Sequence, residues 1–171
     1  KKKLFSELGK KKSIEVLKKT GPKKLFWTKK NENSLSLAVN SLKNLSLPKK
    51  ILSEIEILFF VTESPIYSFP GNGIMLASKF KLNDKIKIYD LNLGCTGFVE
   101  TLIIADKFKK KTLIICSETY SKHYKKFDRS MFPIFSDAAT SFYNYKRIKL
   151  IKSLSGFGKN TYDDLFSKNN H

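Results

Sequence analysis

Three apolar runs set the terms on which this chain can fold. Residues 55–62 (IEILFFVT), 86–90 (IKIYD) and 112–117 (TLIICS) are rich in β-branched and aromatic side chains and have the length of strands. Helical periodicity fills the gaps between them. Ile74, Leu76, Ala77 and Phe80 lie between the first and second runs, and Phe98, Leu102, Ile103 and Ala105 between the second and third. Strands that alternate with helices pair in parallel, because a helical crossover returns the chain to the same end of the sheet. The fold class is therefore α/β, a mostly parallel central sheet flanked by helices.

The remaining segments fit around that core. Residues 3–18 read as helical, with a break at Gly9, and Thr20–Gly21–Pro22 forms a turn. Leu35, Ala38, Val39, Leu42 and Leu45 predict a helix over 33–46, and further helices are expected at 72–80 and 96–109. Pro65 and Pro70 bracket a loop. A polar loop over 118–131 leads to a hairpin-like pair of strands, 140–145 and 147–153. No repeat or Pro/Gly/Ser linker divides the chain, so residues 1–171 are expected to form one unit, long enough to bury roughly 70% of its unfolded surface.

The net charge of +18 admits two readings. One is an acidic partner, such as nucleic acid, a phosphate-bearing cofactor or an acidic carrier protein; the other is lysines that are simply solvated. A nucleic-acid module is disfavoured, since no helix-turn-helix, zinc or RNP-like pattern appears and the aromatics sit in apolar strands. The apolar runs fall well short of the ~20 residues that span a bilayer, and KKKLFSELGKKK lacks the apolar stretch of a signal peptide. Cys95 and Cys116 form no disulfide framework or metal-ligand spacing, so no metal and a cytoplasmic setting are expected.

Cys95 lies where the second strand gives way to a helix, between Asn92-Leu93-Gly94 and Thr96-Gly97-Phe98. A thiol at a helix start meets unpaired N–H groups and the positive end of the helix dipole, and both favour thiolate. A buried, inert structural cysteine is the competing reading. Cys116 ends an apolar strand and should be buried and unreactive.

The run from Asp90 to Asp106, DLNLGCTGFVETLIIAD, resembles the nucleophile segment of the ketoacyl-acyl-carrier-protein synthase III family. That segment reads Asp-x-x-x-x-Cys-[Ser/Ala/Thr]-Gly-Phe and leads into a helix ending Ala-Asp, as Asp90, Cys95, Thr96, Gly97, Phe98, Ala105 and Asp106 do here. Other landmarks occur in the family's order: Lys19-Thr20-Gly21, Glu32 with Ser34, Ser68-Phe69-Pro70, Ser117-Glu118, Asp128-Arg129 and Phe135-Ser136-Asp137-Ala138-Ala139. The resemblance implies a thiolase-like fold, of which this chain is the amino-terminal half, one half of a two-fold-like layered structure. It also implies acyl transfer from coenzyme A, or from a carrier protein, to Cys95. Decarboxylative condensation with a malonyl unit on acyl carrier protein would follow, in fatty-acid or related acyl-chain synthesis. Coenzyme A thioester is then a substrate, and no bound cofactor is expected.

By the same resemblance the Cys95 N–H is one oxyanion donor, and Lys19 and Arg129 lie at the coenzyme A end, Arg129 against the adenine. Phe69 corresponds to an aromatic residue that reaches across a homodimer into the partner's acyl pocket. An ordinary surface arginine and a core phenylalanine beside a turn are the plainer readings of the last two.

Three departures qualify the match. The family's histidine and asparagine partners of the cysteine lie in its carboxy-terminal half, and neither His123, in a polar loop, nor the terminal His171 replaces them. Ile14-Glu15-Val16 stands where a tryptophan is usual, Lys19 where an arginine is, and Trp27 reads as a packing residue. Ser136 and Ala138 replace two glycines. The family's opening strand is also absent before Lys1, so the chain reads as a segment of a longer protein. A non-catalytic structural subunit is the alternative function, and an acyltransferase passing the acyl group to an amine or hydroxyl is a near relative of the first. Strands 55–62 and 112–117, in half of a layered fold, are expected to be covered on one side only, which calls for a second subunit or the other half.

Overall fold

The computed structural model describes residues 9–20, 24–123, 131 and 134–145. Its elements are α1 (Lys10–Thr20), α2 (Ser34–Leu45), α3 (Lys49–Ser53), β1 (Ile57–Val61), α4 (Asn72–Phe80), β2 (Lys87–Leu91), α5 (Gly97–Phe108), β3 (Thr112–Glu118), a single 3-10 turn (Tyr120–Lys122) and β4 (Ala138–Asn144). The sheet order is β2-β1-β3-β4. β1 runs parallel to both neighbours, with Ile57 opposite Lys87 on one side and Thr112 on the other. β4 is antiparallel to β3 and sets Thr140 opposite Cys116.

β1 is the central strand, and all five of its residues are buried. That explains why ILFFV shows no polar–apolar alternation: both faces of a parallel sheet are covered. On one face Leu58 and Phe60 join Leu113 and Ile115 against Ala38, Val39 and Leu42 of α2 and Leu76 and Ala77 of α4. On the other, Ile57, Phe59 and Ile114 pack with Ala105, Leu102 and Phe98 of α5. The expectation of one bare face is therefore wrong. Ile57, Phe59 and Ile114 are 2%, 1% and 0% exposed, because the β2–β3 crossover lays α5 across them. Each such side chain contributes roughly 1.5–3 kcal/mol by leaving water.

The helices begin and end where local chemistry dictates. Asn33 caps α2: its side chain accepts from the Ser36 N–H at 2.9 Å, while Ser36 Oγ accepts from the Asn33 N–H at 2.8 Å. Ser46, Lys81 and Lys109 adopt left-handed conformations at the ends of α2, α4 and α5. The five-residue α3 is too short to leave a periodic signature and was not among the expected helices. The strand expected at 140–145 is found at Ala138–Asn144, where it pairs with β3, and the strand expected at 147–153 lies outside the described residues. No described helix is long and apolar enough to cross a membrane.

Candidate functional site

The three parallel strands all end at one edge of the sheet. There Thr62–Ser64 follows β1, Asn92–Thr96 follows β2, and Thr119–His123 follows β3. The chain leaves β1 for α4 on one face and leaves β2 for α5 on the other. Loops that part in this way open a crevice between the carboxyl ends of neighbouring strands, the usual ligand position in open α/β sheets. Cys95 stands at that edge, exposed, on the turn that starts α5. The Gly97 N–H donates to the Gly94 carbonyl at 2.9 Å and closes the turn. Thr96 gives α5 no side-chain cap, so the helix start beside Cys95 is left with unpaired N–H groups of the kind that attract an anion.

Both glycines of the turn are there for space. A methyl group on Gly97 would stand 2.4 Å from Val61 Cγ1 of the central strand, so α5 reaches the sheet only because Gly97 lacks one. On Gly94 it would stand 2.9 Å from Glu63 Oε1, which puts the Glu63 carboxylate against the residue preceding Cys95.

A buried polar network, invisible in the sequence, fixes this edge. The Glu118 carboxylate accepts from the Glu63 N–H at 2.6 Å and from Ser64 Oγ at 2.7 Å, and Ser64 Oγ accepts in turn from the Thr119 N–H at 2.8 Å. Ser34 Oγ donates to the Ser64 carbonyl at 2.6 Å and accepts from Asn72 Nδ2 at 3.0 Å. Ser117 Oγ donates to the Ser34 carbonyl at 2.6 Å. The starts of α2 and α4 are thereby tied to the ends of β1 and β3. Burial pushes the Glu118 carboxyl above its ordinary range, against its donors Ser64 and Glu63 and the nearby His123. Burial likewise raises the Tyr120 hydroxyl, and the charges of Glu63, Glu118 and Cys95 add to the effect.

Two further carboxylates hold loops in place. Asp90 Oδ1 accepts from the Gly73 N–H at 2.8 Å at the first turn of α4, and burial still raises its carboxyl above the usual value. Gly71 leaves room for this, since a methyl group there would overlap the Asp90 carboxylate. Asp137 accepts from the Thr28 N–H and hydroxyl, both at 2.7 Å, and from the Ser121 N–H at 2.9 Å and hydroxyl at 2.5 Å. Burial pushes the Asp137 carboxyl up, yet the bonds from Ser121 and Thr28 outweigh it and hold the group below its ordinary range.

Of the residues singled out in the sequence, Cys95 is exposed and is not the buried cysteine of the competing reading. Cys116 is half-buried, its thiol pushed up to about 11 by burial and by the charge of Glu118. Phe69 lies in the β1–α4 loop and is 87% exposed, which excludes a core role. Lys19 is exposed in the last turn of α1, a helix that contributes no side chain to either core cluster. Arg129 lies outside the described residues. His123 is exposed, as its polar loop suggests, but its ring stands 6.2 Å from that of Tyr120 at the same edge as Cys95. Trp27 is half-buried, and Ser136 exchanges hydrogen bonds with the Phe26 backbone. Glu63 and Tyr120 were missed; the signal that finds them is their position just past a parallel strand. Two grooves of about 300 and 510 Å³ lie elsewhere, and Cys95 lines neither.

A thiol on a glycine-flanked turn at the carboxyl edge of such a sheet is similar in setting to what known thiolase-like proteins present. Solved structures agree on the fold. That of 3-oxoacyl-(acyl-carrier protein) synthase from Burkholderia xenovorans LB400 superposes with a TM-score of 0.71 at 23% identity, over 81% of this chain and 41% of that one. That of β-ketoacyl-[acyl-carrier-protein] synthase III from Thermus thermophilus gives 0.68 at 25% identity, over 74% and 40%. The 3-oxoacyl-[acyl-carrier-protein (ACP)] synthase III family model matches residues 89–143, so part of the chain is similar to that family. The β-ketoacyl-[acyl-carrier-protein] synthase III of Actinobacillus succinogenes is 35% identical over 92 residues, 51% of this chain and 29% of that protein. The chain spans only 28% to 39% of the length of such relatives.

Proposed function

We propose that this chain carries the acyl-accepting part, the amino-terminal half, of a β-ketoacyl-acyl-carrier-protein synthase III-type enzyme. Cys95 attacks the thioester carbonyl of an acyl-coenzyme A or acyl-carrier substrate, the carbonyl oxygen takes up negative charge, and the coenzyme or carrier thiol leaves. Backbone N–H groups at the α5 start stabilise that oxyanion, where fixed donors are worth about 2.7–4 kcal/mol each. The acyl group then condenses with a malonyl unit on acyl carrier protein as carbon dioxide departs. The histidine and asparagine for that step belong to the carboxy-terminal half of the enzyme. The observation that carries this reading is the exposed Cys95 on its turn between Gly94 and Gly97.

Coenzyme A falls to Lys19 and Arg129 in the same reading. The exposed Phe69 ring is suited to a homodimer, entering the partner's acyl pocket, and a cytoplasmic setting fits this chemistry. The test is product formation by the full-length protein from acyl-coenzyme A and malonyl-carrier. A ketoacyl product that vanishes in Cys95→Ala supports the reading; undiminished product in that variant removes it.

A further inference from the structure

We infer that Glu63 is a second catalytic residue of this site, an acid–base group that passes the acyl unit from Cys95 to an O–H or N–H acceptor. The inference rests on Cys95 being the acyl carrier. Its basis is the difference between the two carboxylates at this edge. Glu118 is committed: its oxygens hold the Glu63 N–H and the Ser64 hydroxyl. The Glu63 carboxylate, among the described residues, takes part in no hydrogen bond or ion pair. It is exposed and lies against Gly94, one residue before the nucleophile. Glu118 holds the Glu63 backbone, so the flexible side chain starts from a fixed position. Tyr120 follows β3 at the same edge of the sheet as Glu63 and Cys95.

Decarboxylative condensation gains nothing from a base there, because carbon dioxide leaves in place of a proton. Transfer to a hydroxyl or an amine does need one. As the acceptor heteroatom bonds to the thioester carbonyl carbon, its proton goes to the Glu63 carboxylate. The C–S bond then breaks, and the Cys95 thiolate takes that proton back. No oxidant, reductant or further reactant is required. The proton carrier must come within about 2.6–3.2 Å of the acceptor, a reach that a flexible glutamate beside Gly94 has.

The test loads the intact protein and its Glu63→Gln variant to completion with p-nitrophenyl acetate, a chemical donor that makes the assay independent of coenzyme A. After removal of reagent, peptide mapping follows loss of acetyl from Cys95 to water and to added ethanolamine. Wild type is expected to lose the acetyl group about 100-fold faster than Glu63→Gln, the lower end of what a positioned acid–base group supplies. Glu63→Ala is expected to recover rate in added formate, a rescue that a structural role would not show. Equal rates in wild type and Glu63→Gln would overturn the role of Glu63 and leave Cys95 as acyl carrier. Acetylation that bypasses Cys95 would remove both.

Discussion

The glycines on either side of Cys95 respond differently to the same added methyl group, and the contrast can be worked from contacts. In Gly97→Ala the new carbon stands 2.4 Å from Val61 Cγ1 and 3.1 Å from Leu93 Cβ. Carbon atoms rest at ~3.5–4.0 Å, so the overlap with Val61 exceeds an ångström. Neither side yields easily. Val61 is β-branched, 3% exposed and in the central strand, while Gly97 starts a helix pinned by Ala105 in the second core cluster. Overpacking of this kind costs about 1–3 kcal/mol, and alanine's better helix propensity returns at most about 1. The net expectation is a loss of about 1–2 kcal/mol, with α5 and the Cys95 turn displaced. In Gly94→Ala the neighbour is the tip of the exposed Glu63 side chain at 2.9 Å, which swings aside, so the loss should stay within about 0.5 kcal/mol. Urea denaturation of the two variants measures the difference directly. Equal midpoints, or a Gly94→Ala variant the less stable of the two, would refute this account of how the turn is packed.

Other outcomes follow from the same geometry. Iodoacetamide at neutral pH should label Cys95 and spare Cys116, whose thiol lies at about 11, and peptide mapping showing the reverse would contradict the assignment. Asp137 has a folded-state pKa below its ordinary 3.8, so its stabilisation is complete above that value and is lost as pH falls through the depressed pKa. Asp137→Asn should cost about 1–3 kcal/mol near neutrality and flatten the acid limb of a stability–pH curve; an unchanged limb would show that Asp137 is not its source. Phe69→Ala should change the stability of an isolated subunit by less than about 0.5 kcal/mol, since the ring is 87% exposed, and a larger loss in thermal melts would mean the ring is packed within the chain.

The sequence disclosed those parts of the fold that rest on periodicity. α4 falls on 72–80 as expected, and α2 and α5 begin one residue inside the expected spans, because Asn33 and Thr96 are caps. β1, β2 and β3 each lie within one or two residues of their apolar runs. The strand-to-helix position of Cys95 was legible from the glycines and apolar runs around it, but its exposure was not, and the resemblance was what singled it out. The polar scaffold was not legible. Ser34, Ser64, Ser117 and Asn72 are ordinary helix, loop and strand residues in one dimension, and only the meeting of two strand ends with two helix starts gives them partners. Covering of the second sheet face was misjudged because periodicity locates the α5 stripe without saying which face a right-handed crossover will put it on. Glu63 carries no motif in the sequence; its meaning comes from lying against Gly94.

The central claim, that Cys95 receives an acyl group, is tested most directly by incubating the intact protein with acyl-coenzyme A in the absence of any malonyl donor. Mass spectrometry of the quenched protein should show one acyl adduct, mapping to the peptide that contains Cys95 and absent from Cys95→Ser. An adduct on another residue, or none on wild type under conditions where the full-length protein forms ketoacyl product, would contradict it.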